Sequence, residues 1–496
     1  MVLSGHVGGP QMKFKRGWVI VAALLSVLAV TPSHAAANEL TEITIPAKNG
    51  EIPEVWKSYA GQPKANVLLP DNYDPSKQYP LLMLLAGASS SYQTWSFDSL
   101  GRIKTTAAGF PGIIVMPEGG TGYYADWWNK GERGTPRWES YYMDEVIPQI
   151  VRRYRIRPER RYHALAGVSM GGLGTAYLGG RLPGFFGSIG IISGVVDMHL
   201  FPGMMTLASL VPLAVSGQPS YADAVYGPEN DFYAMGHEPT KLAANLQHTR
   251  VYMAAGNGVP TDDGEPNGNN PATDTPTEIS LVRPGSDHYA DALEAAGVDY
   301  KYEPHDGIHD FANFRKELRD AISWDFFKPV AEHSDSWTND TVATHGKLWQ
   351  FRYDFEAPPN HVVTFRRSGS RINVSAAGTP VTLTTDGGCV IRTETPGSVK
   401  VPAKACTKLK VKVTPRKLRT GKANMVKVTV GPEGSGAKVK LGKRSVTADA
   451  AGVAYLSVCS KKARELNLKV TDTGFPGTAI PVKVRGPQHS CSGRKL

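Results

Sequence analysis

Tyr162-His163-Ala164-Leu165-Ala166-Gly167-Val168-Ser169-Met170-Gly171-Gly172 is the stretch that decides how the rest of this chain is read. An apolar run, Tyr162–Ala166, leads into a Gly-x-Ser-x-Gly pattern, and the small residues Gly172, Gly174, Thr175 and Ala176 follow. A serine at the tip of a sharp strand-to-helix turn tolerates no bulk two residues to either side, where side chains would collide. Small residues after the turn let the next helix pack closely. With 52 glycines in the chain the bare pattern can arise by chance, so its weight comes from the strand before it and the small residues behind it. In that context Ser169 is the candidate nucleophile.

Working outward, short apolar runs recur at Asn66–Leu69, Leu81–Leu85, Gly112–Met116, Ser188–Ile192, Val251–Ala255 and Tyr300–Glu303. Helical stretches lie between or after them at Ser140–Tyr154, kinked at Pro148, at Asp287–Ala296 and at Phe311–Phe327. Strands alternating with helices predict a mostly parallel sheet covered on both faces, an α/β fold of the α/β-hydrolase class, over residues 38–332.

In that class the order along the chain is serine, acid, histidine. His309 follows the last expected strand and precedes the last helix, where a loop-borne imidazole belongs. His305 is its nearest rival, and His288 falls within an expected helix as a surface residue. His305 and His309 are four apart, but Pro304 and Gly307 oppose the helix that a metal pair would need. No metal or organic cofactor is expected. The acid stays open on this reasoning among Asp262, Asp263, Glu265, Asp274, Glu278 and Asp287. An oxyanion hole should use the N–H of Met170, next after the serine, and one from Leu84-Leu85-Ala86-Gly87-Ala88-Ser89, where Ala88 is the candidate.

The two ends of the chain differ from its middle. Lys13, Lys15 and Arg16 precede the apolar run Trp18–Val30, and the small residues Ser33, Ala35 and Ala37 follow, so residues 1–37 read as a secretory signal. The run is too short for a comfortable membrane span, and no stable span is expected once the signal is removed. Beyond His333 the texture turns to Val, Thr, Gly and Lys, with alternating runs at Val362–Phe365, Lys408–Val413, Met425–Val430 and Leu466–Val470. These predict two all-β, sandwich-like modules, 333–406 and 407–496. All four cysteines lie there, and in an exported chain the simplest pairing joins neighbours, Cys389–Cys406 and Cys459–Cys491. From Lys400 onward roughly 22 Lys and Arg face about four acids, so the tail is strongly basic and the rest of the chain is net acidic. The tail is suited to an anionic cell-wall polymer, or is merely a solvated sheet face. Nucleic acid is not expected, because only Tyr455 and Phe475 accompany the basic residues.

The stretch from about residue 66 to 327 resembles the esterase family that includes S-formylglutathione hydrolases and the secreted mycobacterial mycolyltransferases of the antigen 85 complex. Met116-Pro117-Glu118-Gly119-Gly120, Tyr124-Ala125-Asp126-Trp127, Trp138-Glu139, Gly256-Asn257-Gly258-Val259-Pro260 and Gly307-Ile308-His309 carry the likeness. In that family the catalytic Glu precedes an Arg and lies about thirty residues before the His. The resemblance therefore assigns the acid to Glu278, ahead of Arg283, with Asp262, Asp263 and Asp274 as alternatives. The mycolyltransferases' Asp-Gly-Leu-Arg loop, which helps hold trehalose, is here Ala86-Gly87-Ala88-Ser89, and their Ser-Trp after the His is Asp310-Phe311. The expected activity is hydrolysis of a carboxylic ester through an acyl-enzyme on Ser169, by a protein secreted or held at the cell envelope. Acyl transfer to a sugar or lipid hydroxyl is the second reading, and a non-catalytic wall-binding protein the third. The acyl pocket is expected among loops such as Met198–Leu213.

Overall fold

A computed structural model describes residues 38–53, 62–128, 136–217, 220–431, 434–472 and 475–491. The expected signal segment, 1–37, lies outside the described residues. Eight strands form the principal sheet: β1 (Leu40–Thr44), β2 (Lys64–Leu68), β3 (Leu81–Leu85), β4 (Ile113–Pro117), β5 (His163–Val168), β6 (Ser188–Ile192), β7 (Arg250–Gly256) and β8 (Tyr300–His305). Their order is β1-β2-β4-β3-β5-β6-β7-β8. β2 is antiparallel to both of its neighbours, and every pairing from β4 to β8 is parallel. This is the α/β-hydrolase sheet, with Ser169 directly after β5, one of its central strands.

The central strands are continuous apolar runs because helices cover both their faces. Every residue of β3, β4, β5, β6 and β7 is buried. β1 was not anticipated: its sequence, Leu-Thr-Glu-Ile-Thr, is mixed and mostly polar, as suits an edge strand.

Four helices matter for the site: α1 (Met170–Arg181), α2 (Met204–Ser216), α3 (Arg283–Ala295) and α4 (Phe311–Trp324). α2 replaces much of the loop expected over Met198–Leu213. α3 begins four residues ahead of the expected Asp287. The expected Ser140–Tyr154 helix is a composite of an α-turn at Trp138–Tyr141, a π-turn at Tyr142–Val146 and a helix at Ile147–Arg153. The distortion precedes Pro148, because proline lacks the N–H that would bond one turn back and its ring crowds that carbonyl. A second π-turn, Glu278–Val282, stands in the same relation to Pro284.

The C-terminal part is all β. A first pair of four-stranded sheets uses β9 (Ser336–Thr341), β10 (His345–Leu348), β11 (Phe351–Phe355), β12 (Val363–Ser368), β13 (Arg371–Val374), β14 (Val381–Thr385), β15 (Val390–Thr393) and β16 (Gly397–Lys400). One sheet runs β10-β11-β14-β15 and the other β16-β13-β12-β9. Trp337, Phe351, Tyr353, Phe365, Ile372 and Leu383 form one core between them. The second pair uses β17 (Lys410–Thr414), β18 (Lys417–Arg419), β19 (Asn424–Gly431), β20 (Lys438–Leu441), β21 (Arg444–Thr447), β22 (Val453–Val458), β23 (Arg464–Thr471) and β24 (Thr478–Arg485). These run β17-β19-β22 and β18-β24-β23-β20-β21 around an aliphatic core. Disulfides join Cys389 to Cys406 and Cys459 to Cys491, the neighbour pairing. Among the described residues no helix is long and apolar enough to cross a membrane.

Candidate active site

Ser169 occupies a backbone conformation, φ 57° and ψ −119°, that a side-chain-bearing residue adopts only where its surroundings enforce it. The enforcement is local. Ser169 N–H donates to Ile192 O at 3.0 Å, and its carbonyl accepts from Leu173 N–H at 3.1 Å and Val195 N–H at 3.3 Å. The flanking glycines are required by contact. A Cβ on Gly167 would come within 2.3 Å of Gly171 O, and one on Gly171 within 2.7 Å of the Leu85 and Ala86 carbonyl oxygens. The result is a partly exposed hydroxyl at the start of α1, at the carboxyl end of β5.

The other two side chains arrive from distant sequence. His309 sits in the short turn between β8 and α4, fixed by its N–H to Asp274 O at 3.2 Å and by the edge of its ring against Phe314, centroids 5.0 Å apart. The Asp310 carboxylate caps α4 by accepting from Asn313 N–H at 3.0 Å. His309 Nε2 lies 2.9 Å from Ser169 Oγ, and His309 Nδ1 lies 2.8 Å from Glu278 Oε2. Glu278 is fully buried on the π-turn ahead of Pro284. Its Oε1 accepts from Gly256 N–H at 2.6 Å and meets Ser193 Oγ at 3.0 Å. A carboxylate held by such donors can orient an imidazole.

The rival acids are occupied elsewhere. Asp263 pairs with Arg315 at 2.6 Å, Glu265 with Arg102 at 2.8 Å, and Asp287 with Arg283 at 3.0 Å. Asp262 accepts from Gly264 N–H, and the Asp274 carboxylate accepts from Asn270 N–H. The rival histidines are also accounted for. His288 is exposed and bonds Asp197 at 2.8 Å, whereas His305 faces Glu317 at 2.9 Å.

The Ala86–Ser89 turn lies against the serine, since a Cβ on Gly87 would stand 3.3 Å from Ser169 Cβ. Ala88 is the next residue of that turn, and Met170 N–H is the first of the free amides of α1. Tyr124 holds the turn by donating from its hydroxyl to Ala86 O at 2.7 Å. Other residues of the Met116–Glu139 segment act as a buttress behind the site. Glu118 accepts from Gly119 and Gly120 N–H at 2.9 and 2.8 Å, and Asp126 accepts from Ser140 N–H at 2.9 Å. Glu139 forms a buried pair with Arg181 at 2.6 Å. Burial opposes ionisation of Glu139, but Arg181 outweighs it and holds the carboxyl below its ordinary value.

Sequence reasoning missed Ser193, Gly256 N–H, Asn313 and Glu317. Ser193 is an ordinary small residue at a strand end and Glu317 one charge among several on α4, so no local pattern marked them, and Gly256 was marked only as the start of the Gly-Asn-Gly turn.

An α/β-hydrolase sheet carrying a Ser–His–Glu array at the carboxyl ends of its strands defines the class. The esterase family model described as "Putative esterase" matches residues 57–324, and the chain belongs to that family. Esterase Rv1288 of Mycobacterium tuberculosis is 29% identical over 223 residues, covering 42% of this chain and 47% of that protein. The chain thus spans about half the length of that relative. Diacylglycerol acyltransferase/mycolyltransferase Ag85A of Mycobacterium leprae is 30% identical over 256 residues, 49% of this chain and 73% of that one. Among solved structures, MPT51 (FbpC1) of Mycobacterium tuberculosis aligns over 60% of this chain and 100% of its own, with 17% identity and a TM-score of 0.44.

Proposed function

We propose that this protein is a secreted serine esterase that cleaves carboxylic esters through an acyl-enzyme on Ser169. The observation that carries the reading is the continuous array Ser169 Oγ, His309 Nε2, His309 Nδ1 and Glu278 Oε2, with contacts of 2.9 and 2.8 Å. Ser169 Oγ attacks the ester carbonyl as His309 Nε2 takes its proton, and Glu278 stabilises the imidazolium. Met170 and Ala88 N–H receive the oxyanion, each worth about 3 kcal/mol in the transition state. His309 then protonates the departing alcohol, and water repeats the sequence in reverse to release the acid. The N-terminal signal pattern and the two disulfides support export.

The printed names of the relatives divide between esterase and acyltransferase, so transfer to an envelope hydroxyl is the second reading. Hydrolysis is favoured because Ala86-Gly87-Ala88-Ser89 lacks the acceptor-holding Asp and Arg. The test is turnover of p-nitrophenyl esters from acetate to long-chain acyl, with and without an added alcohol. Ser169→Ala should lower the rate by about 10⁴-fold or more. Equal negligible rates in both proteins would sink the reading, and a product dominated by the transferred ester would replace hydrolysis with transfer.

For the basic tail we propose an anionic wall polymer as partner. On the outer face of the β18-β24-β23-β20-β21 sheet, Lys417 stands opposite Lys483, Arg419 opposite Arg485 and Lys440 opposite Lys469, all exposed. Like charges directly opposed destabilise a sheet, and a polyanion would relieve them. Retention of the Ser169→Ala protein on immobilised polyphosphate should fall steeply with salt and drop in a Lys417→Glu, Lys483→Glu variant. No retention at low salt would remove this partner.

A further inference from the structure

Behind Glu278 lies a second carboxylate–imidazole pair that the acyl-transfer steps do not use. Glu317, fully buried on α4, places Oε1 2.9 Å from His305 Nε2 and 3.0 Å from Ser193 Oγ. Ser193 Oγ is also 3.0 Å from Glu278 Oε1, so one hydroxyl bridges the two buried carboxylates. Asn313 Nδ2 reaches Glu317 Oε1 at 3.3 Å and Ser193 Oγ at 3.4 Å.

Counting protons constrains this cluster. His305 Nδ1 lies 2.8 Å from the Asp306 carbonyl oxygen, which can only accept, so Nδ1 carries a hydrogen. The 2.9 Å contact from His305 Nε2 to Glu317 then needs one more proton, either on the imidazole or on the carboxyl. In both forms the pair is electrically neutral. Ser193 also has one proton for two carboxylates. While the shared proton satisfies Glu317, the Ser193 hydrogen can go to Glu278 Oε1. Without the shared proton, Glu317 would add a second buried negative charge and compete for the same hydrogen.

We propose that His305 and Glu317 form a positioning pair that shares one proton and, through Ser193, keeps Glu278 donor-bonded behind His309. The titratable groups around the pair are Glu278, Lys316 on α4 and Tyr252 on β7. Burial and the Glu278 charge hold the Glu317 proton more tightly than usual. At His305 burial works the other way, but the Glu317 carboxylate outweighs it and raises the imidazolium above its ordinary range. Both partners thus retain a proton more strongly than when free, as a shared proton requires.

The inference rests on the reading of Ser169 as nucleophile with His309 as base, and it is tested by a charge cycle in the full-length protein. The acid limb of kcat/KM reports the ionisation of His309. His305→Gln removes the imidazole whose hydrogen bond and charge favour the Glu317 carboxylate. At a pH where Glu317 then loses its proton, the added buried anion should move that limb to higher pH by about half a unit or more, because a nearby anion favours imidazolium. Glu317→Gln leaves a protonated His305 uncompensated at acid pH and should move the limb the other way. The double variant should return it toward wild type. A merely structural role would lower the rate in every variant and give no opposed shifts. Limbs that stay in place in folded, active variants, or move in the same direction, would overturn the proposal. If only one single variant folds, the direction of its shift decides. Inactivity of the wild-type protein would instead refute the esterase reading itself.

Discussion

The α/β part and the C-terminal β part of this molecule handle charge in opposite ways. In the first, charged side chains are taken inside and matched: Arg181 with Glu139, Glu278 with His309, and Glu317 with His305. In the second pair of sheets the core is aliphatic, Lys and Arg stand in solvent, and a disulfide closes the chain near its end. Buried polar groups demand a specific arrangement, because each must find its partners or incur several kcal/mol. Outward charges demand nothing of the fold, and so are free to serve a partner. The two parts are nonetheless firmly joined. Arg181, the last residue of the helix that starts beside Ser169, donates from Nη2 to His345 O at 3.3 Å, and Asn339 Nδ2 donates to Gly180 O at 2.8 Å. Arg155 meets Asp449 of the second pair of sheets at 3.3 Å.

The contrast is sharpened first at the acid. Glu278→Gln should lower kcat/KM by about 10³- to 10⁴-fold, since an amide in that place favours the wrong imidazole tautomer. Asp287→Asn, at a rival acid paired with Arg283, should stay within a few-fold of wild type in the same assay. Next comes the buried pair. Arg181→Met strands Glu139 and should cost about 3–5 kcal/mol in denaturant unfolding, with the added Glu139→Gln recovering part of it. A loss below 1 kcal/mol would break the claim that interior charges hold this part together.

Smaller effects belong to the β part. Removing the Cys459–Cys491 bridge by paired Ser substitutions should cost about 2–4 kcal/mol in unfolding of the C-terminal sheets. The ester-hydrolysis rate should remain as it was, which a stopped assay at matched protein concentration checks. Smallest of all, Lys440→Glu should stabilise by about 0.2–1 kcal/mol, because it converts a like-charge pair with Lys469 into an attractive one. A destabilisation there would mean that the outward lysines have a structural duty.

Much of this was legible in the chain. The apolar runs of β3 and β6 matched the observed strands to the residue, since a strand buried on both faces must be apolar throughout. β1 escaped because an edge strand of mixed residues looks like linker. The first π-turn escaped in form but not in cause, since the kink at Pro148 was expected, whereas the second, ahead of Pro284, lay before the helix expected from Asp287. The loop expected over Met198–Leu213 became α2, whose Leu207, Leu210 and Leu213 remain exposed and so gave no clear buried face to read.

By itself the sequence determined the turn that presents Ser169, because a sharp strand-to-helix turn is made by neighbours and their bulk is written locally. It also offered the neighbour pairing of the cysteines as the simplest of three, which the fold then made, and the outward placement of Lys and Arg in alternating strands. Which carboxylate meets His309 was settled by reasoning from the residues only as far as a group of acids, and resemblance narrowed it to Glu278. Tertiary structure decided the contact. β7, the π-turn before α3 and the turn before α4 converge at one end of the sheet, and only there do Gly256, Ser193, Glu278 and His309 become neighbours. Their meeting depends on strand order and burial, which act across more than a hundred residues and leave no trace in any short stretch.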